Sequence, residues 1–397
     1  MEKKRIVFVN LHGNEFLVKT LNKYIFKQSV AIKHRYFLDF LLENDDFEVC
    51  SYVNPVGFSL ASNLNPRIMK ILYLFRFLEH YIVLRLNKIP AKKIKLIKRA
   101  SDISEKDIVL LYQFCEPQFY KIDEINGVKV VSMMHFSGSN TNSKLTQLAN
   151  PEALLCESNL QKHSLIFNEN YKWFNKKIIV IPFVFEDRFQ NIKPFDEREN
   201  RAFATGTITY RNDKYHLDVY KQPCVQPARK QIVDCAKELS PFIECTSRDY
   251  LEDASAKVKN KSTSFFSKLY MKTHTSQKQY YSFNMVDSFN SFRMCIVGEE
   301  ILGIPGIGFV EGIACGCAYI GQNKGYYEDY GMVEGIHYIG YDGTINDLRE
   351  KIKYYQMPEH YFELKEIALN GYNFAQKHFS KDVVATQIIS ELLKLSN

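Results

Sequence analysis

Gly303-Ile-Pro-Gly306-Ile-Gly308-Phe309-Val-Glu311-Gly-Ile-Ala-Cys-Gly316-Cys-Ala-Tyr-Ile320 joins two apolar runs, Met294–Val297 and Ala318–Ile320. The runs have strand length, and the segment between them reads as a glycine-rich turn feeding a short helix. Glycines let backbone N–H groups approach a phosphate with no Cβ in the way. A helix N-terminus adds partial positive charge at the same place. Glu311 falls early in that helix, where a carboxylate can accept two hydrogen bonds from a vicinal diol such as a ribose. A tight strand–turn–helix with a solvated or dipole-stabilising Glu311 explains the same spacing, and both readings stay open at this point.

Working outward, the alternation of short apolar runs and longer amphipathic stretches covers most of the chain. Ile6–Asn10, Phe47–Val53, Ile108–Tyr112, Val128–Met133, Ala153–Cys156 and Ile178–Ile181 read as strands, with a helix over Ser29–Glu43. Residues 191–200 (Asn-Ile-Lys-Pro-Phe-Asp-Glu-Arg-Glu-Asn) break the pattern and read as a linker. Alternation resumes with the strands Arg201–Gly206, Phe242–Cys245, Met294–Val297, Ala318–Ile320 and His337–Gly340. Helices are expected over Ala228–Leu239, Ile345–Tyr355 and Lys381–Leu395. β-branched runs separated by helix-length segments argue for parallel sheets wrapped by helices. The expected architecture is α/β, with two Rossmann-like doubly wound domains facing a cleft. The domains are 1–190, a linker at 191–200, 201–376, and a C-terminal helix at 377–397 with the option of packing back on the N-terminal domain. Ligands of such sheets bind at the carboxyl ends of strands, so functional residues are sought in the turns that follow them.

The 397 residues include 52 Lys+Arg and 45 Asp+Glu, a net charge of +7, and are 46% hydrophobic with 14% aromatic. That supports real cores and excludes a largely disordered or low-complexity chain. The nine cysteines are irregularly spaced, mostly within apolar stretches, and read as buried thiols in a reducing compartment. Cys315-Gly-Cys317 has no second pair or histidine cluster beside it to make a zinc site. Ile6–Val9 is too short for an export-signal core. Ile68–Leu86 is interrupted by Lys70, Arg76, Glu79 and Arg85, whereas a spanning helix needs about 20 largely uncharged residues. A cytoplasmic location, with at most a peripheral contact at the inner face of the membrane, is the expectation.

Four further stretches carry candidate chemistry. Val130–Gly138 is a strand ending in His135, a residue able to act as acid or base but commonly structural in such a place. Leu11-His12-Gly13-Asn14 is the turn after the first strand. Between Arg67 and Arg99 ten Lys and Arg residues interleave with Leu, Ile, Phe and Tyr. This is either a core helix with solvated charges or a surface attracted to anionic lipid. Nucleic acid is disfavoured because no recognition motif is present. Lys257–Lys278 is a second basic run, read as a surface insertion or a closing loop. Arg229, at the start of the Ala228–Leu239 helix, reads as a surface residue, with a phosphate contact as the alternative.

The stretch around Glu311 resembles the C-terminal signature of retaining GT-B glycosyltransferases of the group 1, family 4-like type, which often carry Glu-x7-Glu ending in Glu-Ala-Met-Ala-Cys-Gly-x-Pro-Val-Ile. Glu311 matches the second Glu, which in that family binds the nucleotide ribose. The first Glu falls on Gly303, with Glu299 and Glu300 just upstream. Ala153–His163, Ile178–Phe189 and Phe203-Ala-Thr205-Gly206-Thr207 resemble the family's runs in the right order, with Thr207 where the family has Arg. The resemblance implies a transferase that moves a sugar from a nucleotide-diphosphate sugar to a glycan or lipid-linked acceptor, in bacterial capsule or lipopolysaccharide synthesis. It implies no cofactor, no metal and no nucleic-acid partner. It nominates His135 and Glu300 as catalytic. For the donor it nominates Gly13, Thr205, Gly206, Arg211, Lys214, Pro305, Gly306, Ile307, Gly308, Phe309 and Glu311. A nucleotide-sugar epimerase of the same fold and a non-catalytic subunit of a glycan assembly complex are the alternatives.

Overall fold

Seven short apolar runs form the first sheet: β1 (Lys4–Val9), β2 (Phe47–Tyr52), β3 (Ile94–Ile97), β4 (Ile108–Tyr112), β5 (Val128–Ser132), β6 (Ala153–Cys156) and β7 (Lys177–Val180). Their order is β3-β2-β1-β4-β5-β6-β7, with parallel pairing from β3 through β6. All five residues of β4 and all four of β6 are buried, as central strands covered on both faces require. A second set follows: β8 (Glu199–Ala204), β9 (Thr207–Ile208), β10 (Ile243–Cys245), β11 (Arg248–Asp249), β12 (Phe292–Ile296), β13 (Ala318–Gln322) and β14 (Ile339–Tyr341). Five of these make a parallel sheet in the order β10-β8-β12-β13-β14, while β9 and β11 form a small parallel pair of their own.

The structure is a computed structural model and describes residues 3–28, 30, 32–54, 66–113, 119, 121–249 and 284–396. The basic run Lys257–Lys278 lies outside them. The chain forms two compact units. Met1–Cys156, Asn170–Ile179 and Ala385–Asn397 make the first, and Glu157–Glu169 with Val180–Val384 the second. Both sheets are doubly wound, and each reverses its strand order once, at β1/β4 in the first unit and at β8/β12 in the second. Within the first unit the final helix's Glu391 forms an ion pair with Lys177 of β7.

Several local expectations shift. The helix expected from Ser29 begins at Arg35, because the chain before it is tied back by the His34 N–H to the Phe16 carbonyl at 2.9 Å. The basic region resolves into the helix Pro66–Leu86 and the edge strand β3, whose Ile-Lys-Leu-Ile sequence was too short and too charged to stand out. The helix Tyr361–His378 was not anticipated. Its interior Gly371 lets the helix pass the His337 carbonyl, which a Cβ would approach to 2.7 Å. Residues 191–200 are pinned to the second unit by Arg198. Its buried guanidinium donates to the Cys315 carbonyl at 2.8 Å and to Asn290 Oδ1 at 3.1 Å.

Candidate functional site

The β8/β12 switch point of the second unit gathers three glycines around one arginine. β8 runs into Thr205-Gly206-Thr207, and Gly206 has φ +132°, which an L side chain rarely adopts. A Cβ at Gly206 would lie 2.7 Å from Arg229 Nε, and one at Gly306 would lie 2.5 Å from Arg229 Nη2. A Cβ at Gly298 would come within 2.9 Å of the Ala228 Cβ. The glycines thus admit the first turn of the helix Pro227–Asp234 against the strand ends and form a cradle for the Arg229 guanidinium. Arg229 is 6% exposed, which corrects its reading as a surface residue. Its Nη1 donates to the Thr207 carbonyl at 2.7 Å, while Nε is buried without a hydrogen-bond partner. Among the described residues no carboxylate forms an ion pair with it. A dehydrated, under-satisfied guanidinium at a switch point is suited to an anion with paired oxygens, such as a pyrophosphate.

The neighbouring loop is built on a second set of bonds. Glu300 N–H donates to the Ile304 carbonyl at 2.8 Å and Gly303 N–H to the Glu300 carbonyl at 2.9 Å, closing a tight turn. Gly303 has φ +88°, and a Cβ there would lie 2.6 Å from the His163 carbonyl oxygen, so no glutamate fits where the family pattern puts its first one. Glu300 is half-buried, and its Oε1 accepts from Gln226 Nε2 at 3.1 Å. Gln226 Oε1 in turn accepts from Thr209 N–H at 2.8 Å, linking this turn to the loop after Gly206. Glu299 points inward, where its Oε1 accepts from Gln322 N–H at 2.8 Å and from the Tyr327 hydroxyl at 2.5 Å. Burial raises its pKa, and its Oε2 is left without a partner.

The remaining nominated residues of the second unit divide. Gly306 and Gly308 both close on Val297, and Pro305 is buried beside them. Ile307 caps the helix Gly308–Ala314, whose first turn contains the half-buried Glu311. The Phe309 side chain is fully buried among Tyr319, Tyr327, Tyr330 and Phe379, so it contributes packing and only its backbone borders the turn. Arg211 donates from Nε to Asp213 Oδ2 at 3.1 Å, and Lys214 is exposed at the start of the helix Lys214–Tyr220.

In the first unit, Gly13 lies in the turn after β1 at that sheet's switch point, and a Cβ there would meet nothing within 4 Å. His135, three residues past β5, has φ +58° and stacks on His34 at 5.7 Å and on Phe16 at 5.6 Å between ring centroids. Burial, then the nearby Lys33 charge, lowers its pKa well below the usual imidazole value, so the ring is neutral at pH 7.

No family model matches the chain, and no curated protein matches it in sequence. Solved structures match along its whole length. Sucrose-phosphate synthase from Thermosynechococcus elongatus is 12% identical, with 99% of each chain covered and a TM-score of 0.52. HepE from Anabaena, in complex with UDP and glucose, is 12% identical over 98% of this chain and 100% of that one, at 0.52. A glycosyltransferase from Rickettsia africae is 14% identical over 100% and 99%, also at 0.52. The fold is that of the GT-B glycosyltransferases.

Within this GT-B chain the residue that sequence reasoning underrated is Arg229. The one available signal was its place in the first turn of a helix after Pro227, and nothing local marked it as buried. Gly206 and Gly306 were singled out as glycines that admit a phosphate, yet their immediate role is to admit the arginine.

Proposed function

We propose that the chain is a glycosyltransferase whose second unit binds a nucleotide-diphosphate sugar. The supporting observation is the Arg229 guanidinium, buried, in no ion pair among the described residues and cradled by Gly206 and Gly306 at the β8/β12 switch point. The donor's diphosphate would take up the unused donor capacity of Arg229. Thr205, Gly206 and the Pro305–Phe309 backbone would line it, with Arg211 and Lys214 adding charge. Glu311 would accept from the ribose hydroxyls. Glu300, held by Gln226, would address the sugar. Gly13 and His135 belong to the first unit, and their nomination rests on the resemblance alone; burial keeps the His135 imidazole neutral at pH 7. The proposed acceptor is a glycan or lipid-linked sugar in capsule or lipopolysaccharide synthesis.

A thermal-shift screen of nucleoside diphosphates and nucleotide sugars tests this reading. A ligand specific to the folded state, present at 100 times its Kd, adds about 2.7 kcal/mol of stability. Expected is a shift with one base family that Arg229→Met abolishes. No shift with any nucleoside diphosphate, or an unchanged shift in the variant, refutes it. With the leaving diphosphate neutralised by a guanidinium, turnover is expected to survive EDTA. Turnover lost to EDTA and restored by magnesium would contradict that. An epimer formed from donor alone, without acceptor, would reassign the chain to epimerisation.

A further inference from the structure

The helix Pro66–Leu86 has two unlike sides. His80, Val83 and Leu84 are buried, and the His80 ring meets His12 edge-on with centroids 5.5 Å apart. On the other side Ile71 (54% exposed), Leu74 (68%), Phe75 (62%) and Leu78 (55%), followed by Ile82 and Leu86, stand in solvent. At about 100° per residue, these positions share an arc of roughly 120° directly opposite the buried stripe. The short helix Leu21–Ile25 prolongs the arc. Its Tyr24 hydroxyl donates to the Leu86 carbonyl at 2.8 Å, and Ile25 and Phe26 beyond it are exposed. A continuous apolar surface of this extent is uncommon on a soluble chain and marks an interaction site.

Charge selects the occupant. Arg85 falls inside the apolar arc and is exposed, and Lys27 and Lys88 are exposed at its rim. The helix's one acidic residue, Glu79, is bound to Arg76 at 2.9 Å, so no free carboxylate opposes these cations on the helix. Two-fold pairing with a second copy would bring two cationic rims together. An anionic bilayer accepts both parts at once, with apolar side chains entering the headgroup–acyl boundary while Lys and Arg meet the headgroups. Among the described residues no helix is long and apolar enough to cross a membrane, which leaves an in-plane contact. We propose that the outer face of Pro66–Leu86, with Ile25 and Phe26, docks the protein on an anionic lipid surface. The proposal is independent of the donor site.

Sedimentation of the full chain with vesicles tests it. Binding is expected to phosphatidylcholine vesicles containing phosphatidylglycerol and not to phosphatidylcholine alone. It should weaken at 1 M salt, where the screening length falls to about 3 Å. The double variant Leu74→Glu, Phe75→Glu should lower partitioning at least about tenfold, and Arg85→Ala about fivefold. Leu148→Glu, exposed on another helix of the same unit, should change nothing. Circular dichroism and melting temperature verify that each variant is folded. No binding to anionic vesicles, or undiminished binding by the folded double variant, overturns the proposal. So does a wild-type dimer that the double variant dissociates without any vesicle binding, which would assign the face to a second copy.

Discussion

Replacing Arg229 by Met separates a ligand-binding arginine from a structural one, because the two roles predict opposite balances of stability and affinity. In the free protein the guanidinium makes one described hydrogen bond, to the Thr207 carbonyl, and keeps Nε buried and unbonded. Losing a hydrogen bond from a charged donor costs about 1.5–3 kcal/mol, and removing an unsatisfied buried donor returns about 1–3 kcal/mol. The terms offset, and the charge no longer has to be held out of water, so unfolding stability should stay within about 1 kcal/mol of wild type. For a unit of this size that is a melting shift of roughly 2–4 °C in either direction. Nucleotide binding should respond differently. A buried charge-assisted contact to a diphosphate is worth about 2–3 kcal/mol, so Kd for the nucleoside diphosphate should rise about 30- to 150-fold. Urea denaturation and isothermal titration of the same preparations measure both quantities. A variant that loses more than about 3 kcal/mol of stability yet binds nucleotide as wild type does would show that Arg229 exists to hold the strand ends together, and the donor-site reasoning would fail.

Gly303→Ala should destabilise the second unit by at least about 2 kcal/mol in urea melts, because φ +88° disfavours a side chain and the clash is with His163 backbone, which cannot swing away; wild-type stability would disprove the close approach. Glu299→Gln should cost under about 1 kcal/mol, since Oε1 keeps both of its donors and Oε2 has no partner to lose, whereas Glu299→Ala strands Gln322 N–H and leaves the Tyr327 O–H only the Tyr319 hydroxyl as acceptor, and should cost about 2–4 kcal/mol. Equal losses in the two Glu299 variants would contradict that network. Burial, then the Lys33 charge, lowers the His34 pKa to about 3, so below pH 6.5 the unfolded chain takes up a proton that the folded chain refuses. Stability should therefore be full above pH 6.5 and fall as pH drops towards 3. Over pH 6.5 to 4.5 this one group contributes about 2 kcal/mol of loss, which His34→Phe should remove in urea melts at the two pH values; identical losses in the two proteins would sink the assignment.

Strand positions were legible because β-branched apolar runs with polar borders have few other conformations. Ile108–Tyr112 and Ala153–Cys156 occur as expected from local sequence alone. The edge strand Ile94–Ile97 was not legible, because half its surface faces solvent and its lysine breaks the apolar run. The turn at Glu300–Ile304 could be located but not interpreted. Gly303 stands where the family has a carboxylate, and only its approach to His163 explains why a side chain is refused there.

From the order of residues alone came the α/β class, two successive doubly wound halves, and the turns after strands as places to look. Those properties follow from periodicities of two and 3.6 residues, which neighbours along the chain specify. Tertiary structure decided which charges are buried and which apolar stripe faces outward. Gly206, Arg229 and Gly306 converge only when β8 and β12 pair, so the environment of Arg229 is set by segments far apart in sequence. The helix Pro66–Leu86 is apolar on opposite sides, and its own period cannot say which side its neighbours will cover. Burial is a property of the packed neighbours, and it is burial that sets Arg229 apart from an exposed arginine and decides which apolar side chains face solvent.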